Sequence, residues 1–478
     1  MSSFSQTALF AAVRRLAPTS AATALGLSLV IASLIGDCVI SGCFRPAQAA
    51  VLTVGLAGSY ATIAAALADA RDMPGDDEVR VQSGVYSENL VINFGGSGDR
   101  VDLTGSWDAA FAVQNSVANS IIDGMAAGRV IDFSLSAGDH LRMDRFVIQN
   151  GLADLRAGVF LDMRGVSRVE MTANIIRNNR AEADRASAAG LFAWVLENSQ
   201  LDFIGNEIRD NVVNSTGTVD ARGGGGSIQV ENSGFLNFFD NQVVDNQVIV
   251  AGAGSALGGG LDISGFEATT EIEISDNLIS GNQLSGGSTT GTGVLLSGSN
   301  WRFRRNTITS NLDNSANGFA AQLALGVFGG PGLLSDTLVA MGNSRGVQLN
   351  ANTNGVLHVT NLTVVDHPER GILGNRNDAS SVLNVYNSIA VNNGTNIQLN
   401  AGSGSGSNIT LNNPALFVNA AAGDYQLAEL SPAIDIGDAT PPGGLGSTDL
   451  AGGPRVQGAG VDIGAFEFTD VLFADGFE

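Results

Sequence analysis

The sequence contains no lysine, so all 24 of its basic residues are arginine. This absence excludes Schiff-base chemistry on lysine, a phosphate-binding P-loop lysine and a lysine base for proton abstraction. Acidic residues number 47, which gives a net charge of −23. Nucleic acid is excluded as a partner, because its phosphates require a basic patch on the protein. Acidic polysaccharides would also be repelled unless a cation bridged them.

Cysteine, histidine, proline and aromatic residues are also scarce. The chain has two Cys, three His and 10 Pro, and aromatic residues make up 6% of it. The histidines, at 140, 358 and 367, are scattered, which disfavours a Ser/His/Asp triad or a histidine metal site. Glycine is abundant at 62 residues, and hydrophobic residues at 44% are sufficient for a large core. This composition indicates many short strands and tight turns.

An export signal is predicted at the N-terminus. An arginine pair at 14–15 precedes an apolar run over residues 21–35. The run is too short and too near the terminus for a membrane span. Residues 47–49 read Ala-Gln-Ala, a small-x-small site of the kind that signal peptidase cleaves. We therefore expect a signal peptide over residues 1–49, and a mature chain that begins at Ala50 and has no transmembrane span.

Cys43 offers an alternative route of export. Residues 40–43 read Ile-Ser-Gly-Cys, which resembles a bacterial lipobox with Cys43 as the lipidated residue. Asp37 interrupts the apolar approach to this cysteine, which favours cleavage after Ala49. Either route predicts a protein that is secreted or held on the outer cell surface. Cleavage after Ala49 also removes both cysteines, so the mature chain could form neither a disulfide nor a thiolate metal site.

The mature region is built from a repeat. The pattern Asn-x-apolar-x-x-Asn occurs six times, and its first four intervals are 32, 35, 36 and 29 residues. The twelve asparagines are Asn174, Asn179, Asn206, Asn211, Asn241, Asn246, Asn277, Asn282, Asn306, Asn311, Asn387 and Asn392. Asparagine tolerates the left-handed turn between strands, and its amide can bond to the asparagines above and below it. We therefore expect structural Asn ladders rather than a catalytic role.

Short strands precede each pair of asparagines. Val169, Glu170 and Met171 alternate apolar, polar and apolar, and this alternation returns at fixed register in later copies. The alternation predicts strands with one face inside. A second apolar strand further upstream begins with glycine, as at Gly158 and Gly190. Such strands, repeated without helical periods between them, predict an all-β parallel solenoid of roughly ten to twelve coils.

Side chains at the same register of successive coils should stack about 4.8 Å apart. Phe203, Phe238 and Phe303 share one inward register, so we expect an interior aromatic stack. The outward register contains Glu170 and Asp202, which would be adjacent at the same spacing. That separation is nearer to a retaining than to an inverting glycosidase pair.

Covers are expected at both ends of the solenoid. In residues 60–70, Ile63, Leu67 and Ala70 are apolar at helical spacing, and Ser59 and Thr62 precede them as capping candidates, which predicts an amphipathic capping helix. The segment that follows a Gly/Ser run at 403–407 is rich in Gly and Pro and is expected to form the other cap. The predicted organisation is a signal peptide over 1–49, a β-helix with its N-terminal cap over 50–402, and a C-terminal segment over 403–478.

Two segments resemble known families. Residues 60–88, followed by Gly-led strands and Asn-x-Ile-x-x-Asn turns, resemble bacterial right-handed parallel β-helix proteins of the pectate-lyase-like superfamily. Residues 430–467 contain Ser-Pro-Ala-Ile-Asp-Ile-Gly and Val-Asp-Ile-Gly-Ala-Phe-Glu, and resemble the choice-of-anchor Q family. The resemblance implies a right-handed β-helix that is exported and often surface-associated, and it supplies no catalytic residues. In the C-terminal motif we expect Arg455 to pair with Asp462 or Asp449 over the last coil.

Candidates for catalysis are few. Lyases on this fold abstract a proton with a Lys or Arg base, usually with Ca²⁺ on the substrate carboxylate. Arg302, Arg304 and Arg305 cluster on one coil, next to the coil that carries Glu273. The plainer interpretation is a surface ion pair in which Arg302 stacks over Glu273. The hydrolase motifs of the superfamily are not present, so the sequence favours a protein that is not an enzyme.

No metal site or cofactor is predicted. Acidic columns such as Glu170, Asp202 and Glu273 could hold Ca²⁺ only weakly. The variable loops after each second Asn should lie along one edge of the solenoid, where rigid folds commonly carry their binding residues.

Five charged loop residues are the candidates for binding: Glu182, Asp184, Arg185, Asp220 and Arg222. We expect a monomeric, exported, non-enzymatic surface or matrix protein whose loop edge binds a polysaccharide or another cell-surface ligand. A polysaccharide lyase or glycoside hydrolase is the alternative.

Overall fold

The computed structural model describes residues 49–469 except 316, 317 and 319. The predicted signal peptide with Cys43 and the last residues of the chain lie outside this range. Apart from residue 49, the described chain belongs to a compact unit that begins at Ala50. Its strands pair in parallel, except for one hairpin near the C-terminus.

Successive coils of the chain contribute equivalent strands to two long sheets, and some coils contribute to smaller sheets as well, so that strands pair with their equivalents in neighbouring coils. Sheet 1 has eleven strands: β4 (Leu90–Asn93), β7 (Ile131–Leu135), β11 (Val159–Met163), β15 (Leu191–Val195), β20 (Gly226–Val230), β25 (Leu261–Gly265), β30 (Val294–Gly298), β34 (Ala321–Val327), β36 (Arg345–Ala351), β38 (Arg370–Arg376) and β41 (Thr395–Leu399).

Sheet 2 has 22 strands and bends at a corner, with longer strands before the corner and short strands after it. Two strands, β35 (Pro331–Ala340) and β37 (Val356–Val365), run through the corner and pair with strands on both sides of it. The other strands before the corner are β1 (Val51–Val54), β2 (Asp77–Gln82), β5 (Arg100–Trp107), β8 (His140–Asp144), β12 (Arg168–Thr172), β16 (Gln200–Ile204), β21 (Phe235–Phe239), β26 (Glu271–Ser275), β31 (Trp301–Arg304), β39 (Val382–Tyr386) and β42 (Gly404–Gly406). The short strands are β3 (Gly84–Ser87), β6 (Ser120–Asp123), β9 (Phe146–Gln149), β13 (Ile175–Arg177), β17 (Glu207–Arg209), β22 (Gln242–Val244), β27 (Leu278–Ser280), β32 (Thr307–Thr309) and β40 (Ile389–Val391).

Two smaller sheets form the loop side of the coils. Sheet 3 comprises β10 (Leu152–Ala153), β14 (Arg180–Ala183), β18 (Val212–Ser215), β23 (Gln247–Val250), β28 (Gln283–Ser285) and β33 (Leu312–Asp313). Sheet 4 comprises β19 (Ala221–Arg222), β24 (Ser255–Leu257) and β29 (Ser288–Thr290). The antiparallel hairpin is β43 (Phe417–Asn419) and β44 (Asp424–Leu427). This arrangement is a parallel β-helix, and the predicted fold class is confirmed.

The predicted alternation of apolar and polar residues determines which side chains of each strand form the core. Val169 and Met171 of β12 are buried, whereas Glu170 between them points outward and pairs in register with Asp202. The expected aromatic stack is shorter than predicted. The rings of Phe203 and Phe238 are parallel with centroids 5.2 Å apart, but Ile274 occupies the next register position and separates them from Phe303.

The glycine that opens several sheet 1 strands is required by close packing between coils. A Cβ atom on Gly190 would lie 2.2 Å from the carbonyl oxygen of Gly225 in the next coil. Because backbone occupies that space, no side chain fits, and the strand is preceded by glycine.

The first asparagine ladder runs through the coils on the corner of sheet 2. Asn206 Oδ1 accepts a hydrogen bond from the backbone N–H of Asn174, and Asn241 Oδ1 does the same for Asn206. The column continues through Asn277 and Asn306, and Thr337 Oγ1 takes the next place. All five asparagines are buried, so each amide satisfies backbone groups that water does not reach.

A second ladder runs parallel to the first at the other end of the short strands. Asn179, Asn211, Asn246, Asn282 and Asn311 repeat the same hydrogen bonds, and Gln322 Oε1 accepts from the N–H of Asn311. His367 follows: its Nε2 lies 2.8 Å from Gln322 Nε2, and its Nδ1 lies 3.1 Å from Asn393 Oδ1. Burial lowers the pKa of His367 to about 4.

The last predicted pair of asparagines stands one residue away from these ladders. Ser388 and Asn393 occupy the ladder positions, whereas Asn387 and Asn392 precede them and have φ angles of 49° and 56°. In earlier coils too, the residue before each ladder asparagine adopts this left-handed conformation, as at Ala173 and Asn178. The left-handed turn and the ladder amide were predicted to be one residue, but they are neighbours.

The N-terminal cap forms as predicted. Helix α1 spans Ile63–Asp72, and the side chain of Thr62 accepts a hydrogen bond from the N–H of Ala65. Its apolar face is buried against the first strands. The carboxylate of Glu88 also accepts from the N–H groups of Ile63 and Ala64, where a helix N-terminus favours negative charge. No helix among the described residues is long and apolar enough to cross a membrane.

The C-terminal segment folds back over the solenoid. Strand β42 still pairs with β39 beyond the predicted boundary at 402. Arg455 is fully buried and pairs with Asp336 and Glu467, not with the predicted Asp462 or Asp449. Those two carboxylates instead accept backbone N–H groups. The cap is therefore attached to the coil that contains β35, several coils before the end of the helix.

Candidate functional site

The arginine cluster on β31 and its corner is mostly neutralised by carboxylates. Arg304 Nε lies 2.8 Å from Glu273 Oε1, and the guanidinium of Arg305 makes two contacts of 2.8 and 2.6 Å with Asp276. This pairing raises the pKa of Arg305, so that arginine is held as a cation and is a poor base.

Arg302 differs from the arginines beside it. It is in register with Glu273, as expected, but the ion pair forms with Arg304 instead. Both arginines project from the same face of β31, and Arg304 reaches the carboxylate diagonally. The side chain of Arg302 is exposed, and it forms no ion pair with a carboxylate in the part of the chain that the structure describes. It lines a cavity of about 280 Å³ with Glu271 and Glu273.

The outward carboxylates Glu170 and Asp202 are bridged by one arginine. Arg168 Nη2 lies 3.0 Å from Glu170 Oε1 and 2.9 Å from Asp202 Oδ2. His140 Nε2 is 3.3 Å from the same Glu170 oxygen. Burial and then Arg100 lower the pKa of His140. The two carboxylates are thus neighbours in register, but they serve an ion-pair network.

The loop candidates separate into two groups. Glu182 pairs with Arg180, and Asp184 accepts from the hydroxyl of Thr216. Arg185, Asp220 and Arg222 instead meet around one cavity of about 690 Å³, which we call the loop-side cavity. Its lining is Leu155, Arg185, Ala186, Ser187, Thr218, Val219, Asp220 and Arg222. The structure brings together three of the five predicted residues.

A column of backbone bridges forms one wall of the loop-side cavity. Leu155 pairs with Ser187, and Ser187 pairs with Arg222, in three successive coils. The register continues from Arg222 to Leu257 in sheet 4. Because these positions belong to a hydrogen-bonded column, the cavity has a rigid wall rather than a free loop.

Of the three charged side chains that line the loop-side cavity, Arg222 and Asp220 have partners within the described chain, whereas Arg185 has no ion-pair partner there. Arg222 Nη1 lies 3.4 Å from Asp262 Oδ2 on the outer face of sheet 1, and burial raises the pKa of Asp262. Asp220 accepts from the N–H of Ser255, which lowers its pKa. Arg185 is exposed, and no carboxylate of the described chain is ion-paired with it. It is the side chain most available to a ligand.

An aromatic cluster adjoins the loop-side cavity on the outer face of sheet 1. Phe160, Phe192 and Trp194 pack edge to face or tilted, with centroids 5.4 to 5.8 Å apart. The guanidinium of Arg156 lies 4.1 to 4.5 Å from all three ring centroids. Burial, and then the nearby Arg129, lower the pKa of Arg156. Leu155 of the cavity and Arg156 of the cluster are consecutive residues, so the two features form one surface.

This cluster was not predicted from the sequence. The Gly-led strands were interpreted only as apolar, although Val159, Leu161 and Met163 already fill the inward positions of β11. Phe160, between two inward residues, must therefore point outward, and Phe192 is its register partner in the next coil. Apolar residues at both the inward and the outward positions of the strand were the signal that could have revealed the cluster.

No group of three or more His, Cys, Asp or Glu side chains in the described part of the chain is placed to hold a metal ion. No family model matches the sequence, so the resemblance of its C-terminal segment to the choice-of-anchor Q family stays a prediction. No curated protein matches it either.

Among solved structures, the crystal structure of pectate lyase Pel9A is similar. It is 11% identical, covers 90% of this chain and 98% of its own, and has a TM-score of 0.40. The strand pairing described above establishes the fold, and this likeness adds no information about activity.

Proposed function

We propose that this protein is exported and binds a carbohydrate chain at the loop-side cavity without turning it over. The observation that carries the proposal is the meeting of Arg185, Asp220 and Arg222 around one cavity of about 690 Å³. Guanidinium groups donate hydrogen bonds and a carboxylate accepts them. Together they suit hydroxyl groups, which both donate and accept.

The rest of the surface supports the same ligand class. Leu155 and Val219 give the cavity apolar patches, and the partly exposed ring of Trp194 lies on the adjoining face of sheet 1. Sugar rings carry both polar edges and apolar faces, so they match a surface that combines aromatic side chains with a few placed polar groups. The rigid backbone column would hold these groups in place before the ligand binds, which reduces the entropy lost on binding.

The charge of the chain favours a neutral glycan. The net charge of −23 repels an acidic polymer at long range. Within the loop-side cavity Arg222 is already paired with Asp262, and the carboxylate of Asp220 lies in the same cavity as Arg185, so the net positive charge left for a uronate is small. We therefore expect neutral polysaccharides to bind better than polyuronates.

Export is part of the proposal. The arginine pair, the apolar run and the Ala-Gln-Ala site at 47–49 support cleavage and secretion. A lipid anchor on Cys43 is the other route, and it would place the same binding surface on the outer face of the cell. An acylated mass at the N-terminus, with detergent needed for extraction, would identify the anchored form.

A polysaccharide lyase or hydrolase is the second candidate, favoured by one observation. Arg302 is exposed in a cavity that Glu271 and Glu273 also line, and in the described chain no carboxylate is ion-paired with it, so a substrate could reach it. The ion pairs of Arg304 and Arg305 support a structural role for the rest of that cluster.

One experiment separates the two candidates. The mature chain is incubated with neutral and uronate polysaccharides, with and without Ca²⁺, while retention and new chain ends are both measured. Retention without new ends is expected, and it should be lost in Arg185→Ala but kept in Arg302→Ala. New unsaturated or reducing ends that disappear in Arg302→Ala would establish the enzyme instead.

A further inference from the structure

Asp77 is a buried carboxylate at the very start of the solenoid. It is the first residue of β2, where it takes the inward parity shared by Val79 and Val81. Only 3% of its surface is exposed. An ionised carboxylate in such a place is costly unless hydrogen bonds or an opposite charge compensate for the loss of water.

The compensation available to Asp77 is incomplete. Its Oδ1 accepts one hydrogen bond, from the backbone nitrogen of Ala50 at 2.7 Å. Its Oδ2 is buried and has no hydrogen-bond partner in the described part of the chain. Burial raises the pKa of Asp77, and the nearby carboxylates of Asp99 and Asp76 raise it further. The site therefore lacks a positive charge.

Ala50 is held firmly beside this carboxylate. Its carbonyl oxygen accepts a hydrogen bond from the N–H of Glu78 at 2.9 Å, and its side chain packs against the apolar core. Ala49 is exposed, whereas Ala50 is half-buried. The chain thus enters the folded unit at Ala50, with the nitrogen of that residue directed at Asp77.

The peptide bond before Ala50 follows the Ala-Gln-Ala segment at 47–49. Small residues at these positions are what signal peptidases recognise. We propose that hydrolysis of the Ala49–Ala50 bond creates the missing partner of Asp77, a free α-ammonium group on Ala50 that forms a buried ion pair with the Asp77 carboxylate. The sequence suggests where the cut falls, and the buried carboxylate gives the cut a structural consequence.

The reaction balances with water as the only co-reactant and an export protease as the catalyst. The carbonyl carbon–nitrogen bond of Ala49 breaks, a carbon–oxygen bond to water forms, and Ala49 leaves with a carboxylate. The nitrogen of Ala50 takes up protons and becomes an ammonium with three N–H donors, where the peptide had one. A second donor can then reach Oδ2, and the positive charge favours the ionised form of Asp77.

This pairing would link maturation to folding. The uncut chain buries a carboxylate with one donor, whereas the cut chain buries an ion pair at the same position. The N-terminal end of the solenoid should therefore gain stability only after processing. This inference rests on the export part of the proposed function, cleavage after Ala49, and is independent of the proposed glycan binding.

The absence of lysine makes a specific test available. Because the mature sequence contains no lysine, a chain that begins at Ala50 has one primary amine, the α-amino group itself. That chain can be released from a fusion partner by a protease that leaves no extra residue. An amine-reactive reagent then reports only on Ala50.

The rate of labelling is compared at pH 8 for four samples: the folded Ala50 chain, the same chain unfolded in urea, its Asp77→Asn variant, and a chain that begins at Ala49. A free α-amino group has a pKa near 7.7–8.0, and a nearby carboxylate raises it by about one unit or more. The folded Ala50 chain should react about fivefold more slowly than the unfolded chain. Asp77→Asn and the Ala49 chain should react at nearly the unfolded rate.

Thermal unfolding and the natural N-terminus complete the test. The Ala50 chain should melt at a higher temperature than the Ala49 chain, and this second comparison holds even where Asp77→Asn fails to fold. The protein recovered after export should begin at Ala50. An N-terminus elsewhere, or labelling of the folded Ala50 chain at the unfolded rate, would overturn the proposal.

Discussion

Asp336 and Arg455 are 119 residues apart in the sequence, and their side chains meet in an ion pair of 3.0 Å between Oδ1 and Nη1. Both side chains are almost completely buried. Arg455 also binds Glu467 and donates to the carbonyl oxygens of Gly464 and Ala465. Through this arginine the C-terminal segment is fastened to the coil that contains β35.

Replacing this arginine should destabilise the cap. Arg455→Met leaves Asp336 and Glu467 buried without their cation, which is expected to cost about 3–5 kcal/mol of unfolding free energy. Urea unfolding, with proteolysis of the C-terminal segment as a second readout, measures the effect. Arg185→Met is the matched control, since that side chain is exposed, and should change stability by less than about 0.5 kcal/mol. Equal stability of the two variants would show that the pairing contributes nothing.

The ladder asparagines should differ sharply from asparagines outside the ladder. Asn241→Ala leaves the buried N–H of Asn206 without its acceptor, at about 1–3 kcal/mol, and removes the amide donor to the carbonyl of Phe203. Asn392→Gly keeps the left-handed φ at an exposed position and should cost less than about 0.5 kcal/mol. Denaturant unfolding of the two variants compares them. A similar loss in both would mean that the ladder has no special energetic role.

His367 should make the fold sensitive to acid. Gln322 Oε1 accepts from Asn311, so its Nε2 donates to His367, which must therefore be neutral at that nitrogen. Because burial lowers the pKa of His367 from 6.5 to about 4, the unfolded chain binds a proton first as the pH falls. The stability that this group contributes is complete above pH 6.5 and is lost between pH 6.5 and 4, at about 1.4 kcal/mol per pH unit.

His367→Asn gives the measurement for that prediction. Asparagine occupies the same ladder position in earlier coils, and its side chain does not take up a proton as the pH falls. The difference in unfolding free energy between pH 7 and pH 4.5 should therefore be smaller in His367→Asn than in the unaltered chain. An identical pH dependence in both proteins would rule out His367 as the source.

Trp194 should contribute to ligand binding through the exposed part of its ring. Trp194→Ala is expected to weaken retention on a neutral glycan about tenfold, because the ring offers the flat apolar contact that a sugar face requires. Phe266→Ala is the control, since Phe266 is also exposed and aromatic but packs on Phe328, outside the loop-side cavity. If both variants lose retention equally, the aromatic cluster is not part of the site.

The fold was predictable because equivalent positions in stacked coils need similar residues, and these residues therefore recur at regular intervals in the sequence. Asn174 and Asn206 are buried, and each makes hydrogen bonds to backbone groups of the coil before it. Asparagine therefore recurs once in each of these coils. The exact register was harder to predict. At Asn387 an asparagine in the left-handed position imitates the ladder residue, and Ser388 takes the ladder place with a hydroxyl group.

The site was only partly predictable. The register of the loops pointed to Arg185, Asp220 and Arg222, but loop length does not reveal which charges meet and which, such as Glu182, stay apart. Arg455 was expected to bind a carboxylate within its own segment. It does bind one, Glu467, rather than the expected Asp462 or Asp449. Its other partner, Asp336, comes from a coil far away in the sequence, and such long-range pairing leaves no local pattern.

The central claim is that the loop-side cavity binds a neutral glycan, and titration calorimetry of the mature chain tests it most directly. Arg185→Ala is compared with Arg180→Ala, an exposed arginine that pairs with Glu182 outside the cavity. With a neutral polysaccharide that the unaltered chain retains, Arg185→Ala should lower the affinity at least about tenfold, a loss of about 1.4 kcal/mol, and Arg180→Ala should leave it unchanged. Equal affinity in all three proteins, or tighter binding to polyuronates than to any neutral glycan, would contradict the account.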